Sequence, residues 1–191
     1  MSAGVATSSE ALLVSAARQG DLVAWEQLVR RYQEPVFRAA YLLTRVTPVA
    51  EAATEAAFLR AYRALPSLED DIGLVPWLFR IVIGEARQKR RDSGRTRTSS
   101  RPDEPHVGPH FPATPISGLA GTSEMTPLER ETIVDAFDRL AEEDRLVIAS
   151  RYLFELSRAD SAAALAIPEV LVEEHLAEAL KRLRARMGVA A

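Results

Sequence analysis

The chain of 191 residues contains no cysteine and only three histidines. The first absence excludes disulfide frameworks, thiolate zinc sites and cysteine nucleophiles. Aromatic residues are scarce, and no apolar run approaches the roughly 20 residues that a membrane-spanning helix needs. The N-terminus, MSAGVATSSEALLVSAARQGD, lacks a basic leading segment, and Ser, Glu and Arg interrupt its apolar residues. It does not read as a secretion signal. A cysteine-free chain of this kind, without membrane insertion, is expected in the cytoplasm. There is no Gly-rich phosphate loop, no histidine cluster and no nucleophile–base pair that spacing alone can locate. An enzyme, a cofactor and a metal site are therefore not expected, and no β-rich segment stands out.

What is present is an ordinary globular composition, 47% hydrophobic and 27% charged, long enough for one medium domain or two small ones. A net charge of −3 is no global sign of a nucleic-acid binder. The distribution of charge says more. Residues 87–101 hold Arg87, Lys89, Arg90, Arg91, Arg95, Arg97 and Arg101 against the single acid Asp92. From Leu128 onward, nine basic residues face thirteen acidic ones. Positive charge is concentrated mid-chain, and the C-terminal part is acidic.

Residues 93–127 contain six of the eleven prolines and four of the nine glycines, with little apolar periodicity. Such a stretch cannot bury enough surface to offset its ordering entropy, so it is expected to be a flexible linker. His106 and His110 lie in it at a helical spacing, but Gly108 and Pro109 between them oppose a helix. Solvated linker histidines fit better than metal ligands.

Both flanks read as helical. Asp21 is a plausible N-cap, followed by Leu22, Trp25, Leu28, Val29 and Tyr32 at three- and four-residue steps. Pro35 is expected to start or kink a second segment. Thr47 before Pro48 reads as a cap and a first-turn proline, with Ala50, Ala53, Ala57, Phe58, Ala61, Tyr62 and Leu65 continuing a stripe. Pro66 ends it, and an acidic loop containing Glu69, Asp70 and Asp71 leads to Pro76. The helix opened there is apolar first and basic last. Beyond the linker, Pro127 opens a helix with Ile133, Phe137 and Leu140 on one face. EEDRLVIASRYLF follows, then Ser157 caps a short helix. A turn at Ala166 and Ile167 leads to a long final helix, a weak helix-turn-helix pattern on periodicity alone. The expected class is all-α, with helical domains at 1–92 and 128–191 joined by the linker 93–127.

The segments DLVAWEQLVRRYQEPVFRAAYLL, AFLRAYRALPS and PWLFRI with the basic run after it resemble region 2 of bacterial sigma-70 factors. The likeness is closest to the small extracytoplasmic-function (ECF) group, which has only regions 2 and 4. LAEEDRLVIASRYLFELSRADSAAALAIPEVLVEEHLAEALKRLRARM resembles region 4 with its helix-turn-helix. The resemblance implies a sigma factor that binds core RNA polymerase and directs promoter recognition and transcription initiation. In the family, region 2 docks on the polymerase clamp and melts the −10 element, while region 4 inserts its recognition helix at the −35 element. On that basis Trp77, Arg80, Arg87, Lys89, Arg90 and Arg91 are candidate DNA contacts in region 2. Trp77 also suits a core position, because Leu78, Ile81 and Val82 crowd it. In the final helix the candidates are His175, Lys181 and Arg182.

The family's acidic clamp-binding motif is thinned here to VAEAATEAAF, which keeps Glu51, Glu55 and Phe58 as candidate polymerase contacts. The family's asparagine after the WLFRI-like motif is replaced at about Gly84. Glu169, Glu173, Glu174 and Glu178 occupy the part of the final helix expected to enter the groove. One glutamate can accept from cytosine, but four beside a phosphate backbone are hard to explain. The competing reading is a degenerate sigma-like regulator that binds polymerase or another protein without itself reading promoters. An anti-sigma factor clamping the two domains is a further possible partner.

Overall fold

The computed structural model describes residues 3–68, 73–96 and 127–187. The acidic loop, most of the linker and both linker histidines lie outside the described residues. Within them every regular element is helical: α1 (Ala3–Arg18), α2 (Leu22–Thr44), α3 (Thr47–Ala64), a single 3-10 turn (Leu65–Ser67), α4 (Leu74–Thr96), α5 (Pro127–Asp138), α6 (Glu142–Tyr152), α7 (Arg158–Leu165) and α8 (Glu169–Arg186).

Helices α2, α3 and α4 pack on one another, with α1 against α2. The packing is close because small residues line it. Ala39 and Ala40 on α2, Ala50, Ala53, Ala57 and Ala61 on α3, and Ala86 on α4 are all fully buried. Larger side chains, Leu28, Val36, Leu42, Leu43, Leu65, Phe79 and Val82, fill the space between helices. Tyr32 donates its hydroxyl proton to Glu10, tying α1 to α2.

The local signals hold in most places. Asp21 accepts from the amides of Val23 and Ala24 at 2.8 and 3.1 Å, and Ser157 accepts from Asp160 at 3.0 Å, as N-caps should. Pro35, however, neither starts nor separates a helix, since α2 runs through it. The ring removes one backbone hydrogen bond, while neighbouring core contacts at Val36 and Phe37 keep the helix in place. Thr47 is not a cap either. Val46 takes that position, and Arg45 before it is left-handed, closing α2 through its amide onto Tyr41. Helix α1 has no counterpart in the sequence reading, and α4 starts two residues before Pro76 and continues to Thr96.

Helices α6, α7 and α8 form the second unit, with α5 against α8. Ala166 in the left-handed region (φ 56°) turns the chain between α7 and α8, its amide bonded to Ala162. This unit packs on the first, α7 against α4 and α6 against α2. The rings of Phe79 and Phe154 meet across that junction with centroids 4.6 Å apart. Buried residues of both units belong to one hydrophobic cluster.

Gly84 offers a stability test that leaves the packing untouched. It is an exposed position inside α4, and a β-carbon there would meet nothing within 4 Å. Gly84→Ala is expected to stabilise the fold by about 0.5–1 kcal/mol, the entropic cost of a helical glycine. Urea unfolding followed by circular dichroism measures it; an unchanged midpoint contradicts the helical placement.

Candidate nucleic-acid interface

The candidates on α4 divide into two groups. Trp77 and Arg80 line one cavity of about 370 Å³ together with Arg60, Ser67, Leu68, Ile81 and Gly84. Trp77 is half-buried with its neighbours Leu78 and Phe79 fully inside, so the indole is both a wall of the cavity and an edge of the core. Arg80 is exposed. Gly84, two turns after Trp77 on the same helix, adds no side chain to this wall.

The basic end of the same helix behaves differently. Arg87 Nε donates to Glu142 Oε1 at 2.8 Å, and an Arg90 guanidinium nitrogen donates to Glu142 Oε2 at 2.7 Å. The same Arg90 nitrogen reaches the carbonyl of Leu43 at 3.1 Å. Two of the candidate DNA contacts are therefore held by one carboxylate from the other unit. Burial alone pushes the Glu142 carboxyl up, but the hydrogen bonds and charge of Arg87 and Arg90 outweigh it and hold the group below the ordinary carboxylate range. Lys89 and Arg91 lie outside this bridge; Arg91 donates to Gln88 at 2.6 Å.

A second ion pair joins the units. Arg45 and Asp138 approach to 2.7 Å, and Arg45 also donates to the Asp138 carbonyl. Burial pushes the Asp138 carboxyl up, and Arg45 only partly offsets it. Arg145 lies buried nearby and donates to the Leu140 carbonyl at 2.6 Å. Burial, then the positive charge of Arg45, lowers its pKa.

On α8, His175 is exposed. Lys181 pairs with Glu178 at 3.3 Å, and Arg182 pairs with Asp144 at 2.7 Å. The exposed acids Glu169 and Glu173 face Arg158 and Arg151, at 2.8 and 3.7 Å. Much of the charge on this helix is satisfied within its own unit.

The candidate polymerase contacts share α3. Glu55 is exposed, Glu51 half-exposed, and Phe58 meets Trp25 edge-on at 6.2 Å. Trp25 also meets Tyr62 at 5.4 Å. With Leu22, Leu59 and Tyr62 exposed, the α2–α3 face presents apolar and aromatic surface beside two carboxylates.

Sequence reasoning missed Glu142, Asp138 and Arg45. Glu142 reads locally as one of three acids in the first turn of α6, where a carboxylate suits the helix dipole. Nothing in its spacing signals a partner more than fifty residues earlier in the chain. Among the described residues no group of side chains could hold a metal ion, and no helix is long and apolar enough to cross a membrane.

Residues 28–96, which cover most of α2 and all of α3 and α4, match the Sigma-70 region 2 family. The ECF RNA polymerase sigma-E factor of Escherichia coli is 29% identical over 164 residues, 84% of each chain. The ECF RNA polymerase sigma factor SigM of Mycobacterium tuberculosis is 28% identical over 182 residues, 94% of this chain and 85% of the relative. Two solved structures share the fold. CnrH in complex with the cytosolic domain of CnrY gives a TM-score of 0.68 at 21% identity, covering 96% of this chain and 99% of that one. The sigma factor RpoE in complex with the anti-sigma factor NepR from Bartonella quintana gives 0.62 at 19%, covering 87% and 98%. Residues 28–96 thus carry the likeness to sigma-70 region 2, and over most of its length the chain is similar to extracytoplasmic-function sigma factors.

Proposed function

We propose that the protein is a sigma factor that binds core RNA polymerase and directs it to promoters, a regulatory and not a catalytic role. The carrying observation is one chain that joins a region 2 match to a helix-turn-helix at α7–α8. In this reading the α2–α3 face, with Glu51, Glu55 and Phe58, meets polymerase. An exposed apolar patch ringed by charge is the kind of surface a protein partner covers. The cavity at Trp77 and Arg80 receives the opened promoter strand, where an aromatic wall and a cation suit a base and its phosphate. Lys89 and Arg91 then track the backbone.

A second reading, binding polymerase without reading promoters, is favoured by α8 itself. Its exposed first half carries Glu169, Glu173 and Glu174, and its cations Lys181 and Arg182 are paired with acids. A regulatory protein partner is also proposed, on the likeness in fold to two proteins solved in complex with others.

Titration of labelled full-length protein with core polymerase tests the reading. Saturable binding is expected, weakened about tenfold or more by Glu51→Lys with Glu55→Lys, because like charges placed against a complementary face repel. Absence of binding, or equal binding by the double variant, contradicts this assignment of the polymerase face.

A further inference from the structure

Helix α8 buries Val172, Leu176 and Ala179 against its own unit, and Leu183 packs partly on it. At about 3.6 residues per turn, the opposite side of the helix carries Val170, Glu174, Ala177 and Lys181. Val170 is 79% exposed, and Glu174, Ala177 and Lys181 are exposed as well.

The four acids of this helix are not equivalent. Arg158 of α7 pairs with Glu169 at 2.8 Å, and Arg151 of α6 faces Glu173 at 3.7 Å. Lys181 and Arg182 take the two oxygens of Glu178, at 3.3 and 3.9 Å. Each of these carboxylates presents an ion pair to its surroundings and not a bare charge. Glu174 differs: among the described residues it has no ion-pair or hydrogen-bond partner. An unsatisfied acceptor therefore stands on the crest of α8, with apolar side chains four residues before it and three after.

One base edge suits that arrangement. In the major groove guanine shows two acceptors, thymine an acceptor and a methyl group, and adenine an acceptor beside its amino group. Cytosine shows the N4 amino donor with no acceptor of its own, and a carboxylate can only accept. We propose that Glu174 is a specificity-determining residue: its carboxylate accepts from the N4 amino group of a cytosine in the upstream promoter element, and Val170 and Ala177 meet thymine methyl groups beside it. The inference rests on the proposed reading of the chain as a promoter-directing factor, with α8 entering the major groove. Phosphates are then left to Lys181, Arg184 and Arg186, which are exposed in the later turns. The acidity of the first half no longer opposes groove entry, because two of its three carboxylates are offset by Arg158 and Arg151 and the third meets a donor.

The test uses holoenzyme assembled from core polymerase and the full-length chain, with a library of duplexes randomised along the promoter length. Bound duplexes are recovered and sequenced. The natural protein is expected to enrich an upstream element with one fixed cytosine. Glu174→Gln replaces the carboxylate by an amide that suits the N6 and N7 edge of adenine. It is expected to turn that one position from cytosine to adenine and to leave the rest of the selected sequence as it was. On duplexes that differ only there, natural holoenzyme should bind the cytosine form about tenfold more tightly than the adenine form, and the variant should reverse the order. Loss of the cytosine preference without a new one also supports the role of the carboxylate. A merely structural role for an exposed side chain would not alter the choice of a single base.

An upstream element selected with the same bases by Glu174→Gln overturns the proposal and leaves α8 a DNA reader through other residues. A response confined to a position where the natural protein selects a base other than cytosine overturns it equally. Enrichment of a downstream element with no upstream preference overturns it together with groove entry by α8. A chain that fails to assemble with core polymerase, or assembles and enriches nothing, overturns the promoter reading and this inference with it.

Discussion

Phe79→Ala is expected to destabilise the protein by about 3–5 kcal/mol, the usual loss when a buried phenylalanine is truncated. Phe79 is fully buried in the second turn of α4, beside Leu78 and Val82, and its ring packs at 45° to that of Phe154. Truncation removes both the transfer free energy of the ring and its contacts with a rigid surround that cannot collapse to fill the gap. The alanine-lined helices around it already approach closely, which leaves little room for relaxation. Against the marginal stability of domains of this size, about 5–15 kcal/mol, the loss is a large share. Both tryptophans, Trp25 and Trp77, belong to the first unit, so their fluorescence reports that unit while circular dichroism reports all helices. Urea unfolding followed by both signals measures the effect. A loss below about 1 kcal/mol contradicts the placement of Phe79 at the shared core.

The second large effect concerns salt. Replacing Arg80, Lys89 and Arg91 by alanine removes three α4 cations that take no part in the contact with Glu142. If each neutralises one phosphate, the slope of log affinity against log salt should fall by roughly 2 to 3, at about 0.7–0.9 per phosphate. Between 50 and 200 mM salt such a change alters the affinity loss by more than tenfold, as estimated from the same slope. The interdomain bridge is left intact, so the change cannot be attributed to its loss. Filter binding of polymerase-bound protein to promoter DNA across that range measures the slope. An unchanged slope contradicts phosphate contact by this end of the helix.

Much of the fold was legible because helices announce themselves through periodicity and caps. The alanine stripe of α3 and the caps at Asp21 and Ser157 are local signals, and each corresponds to a local structure. Where the reading departs, a non-local or competing effect governs. Pro35 sits within α2 because Val36 and Phe37, fully buried beside it, anchor the helix on the core. Arg45 turns left-handed and shifts the cap of α3 to Val46. Helix α1 carries Leu13, Val14 and Ala17 toward α2, but a composition rich in serine and alanine masks their spacing.

The candidate surfaces were legible only as far as charge and residue type allow. The basic run after PWLFRI stands out in composition, and so do the acids in α8. Their partners do not, because an ion pair between Arg87 and Glu142 leaves no periodic trace in either segment. The linker between the units suggests independence, whereas Phe79, Phe154, Glu142 and Arg45 bring them into contact.

Transcription by core polymerase on pooled genomic DNA, with this protein supplied alone and beside a primary sigma factor, bears most directly on promoter-directed initiation. Mapping the RNA 5′ ends should reveal new start sites that share two spaced promoter elements and that disappear when the protein is left out. No new starts at any ratio of protein to polymerase, with transcription by the primary factor suppressed, would contradict promoter recognition and leave a competitor for polymerase instead.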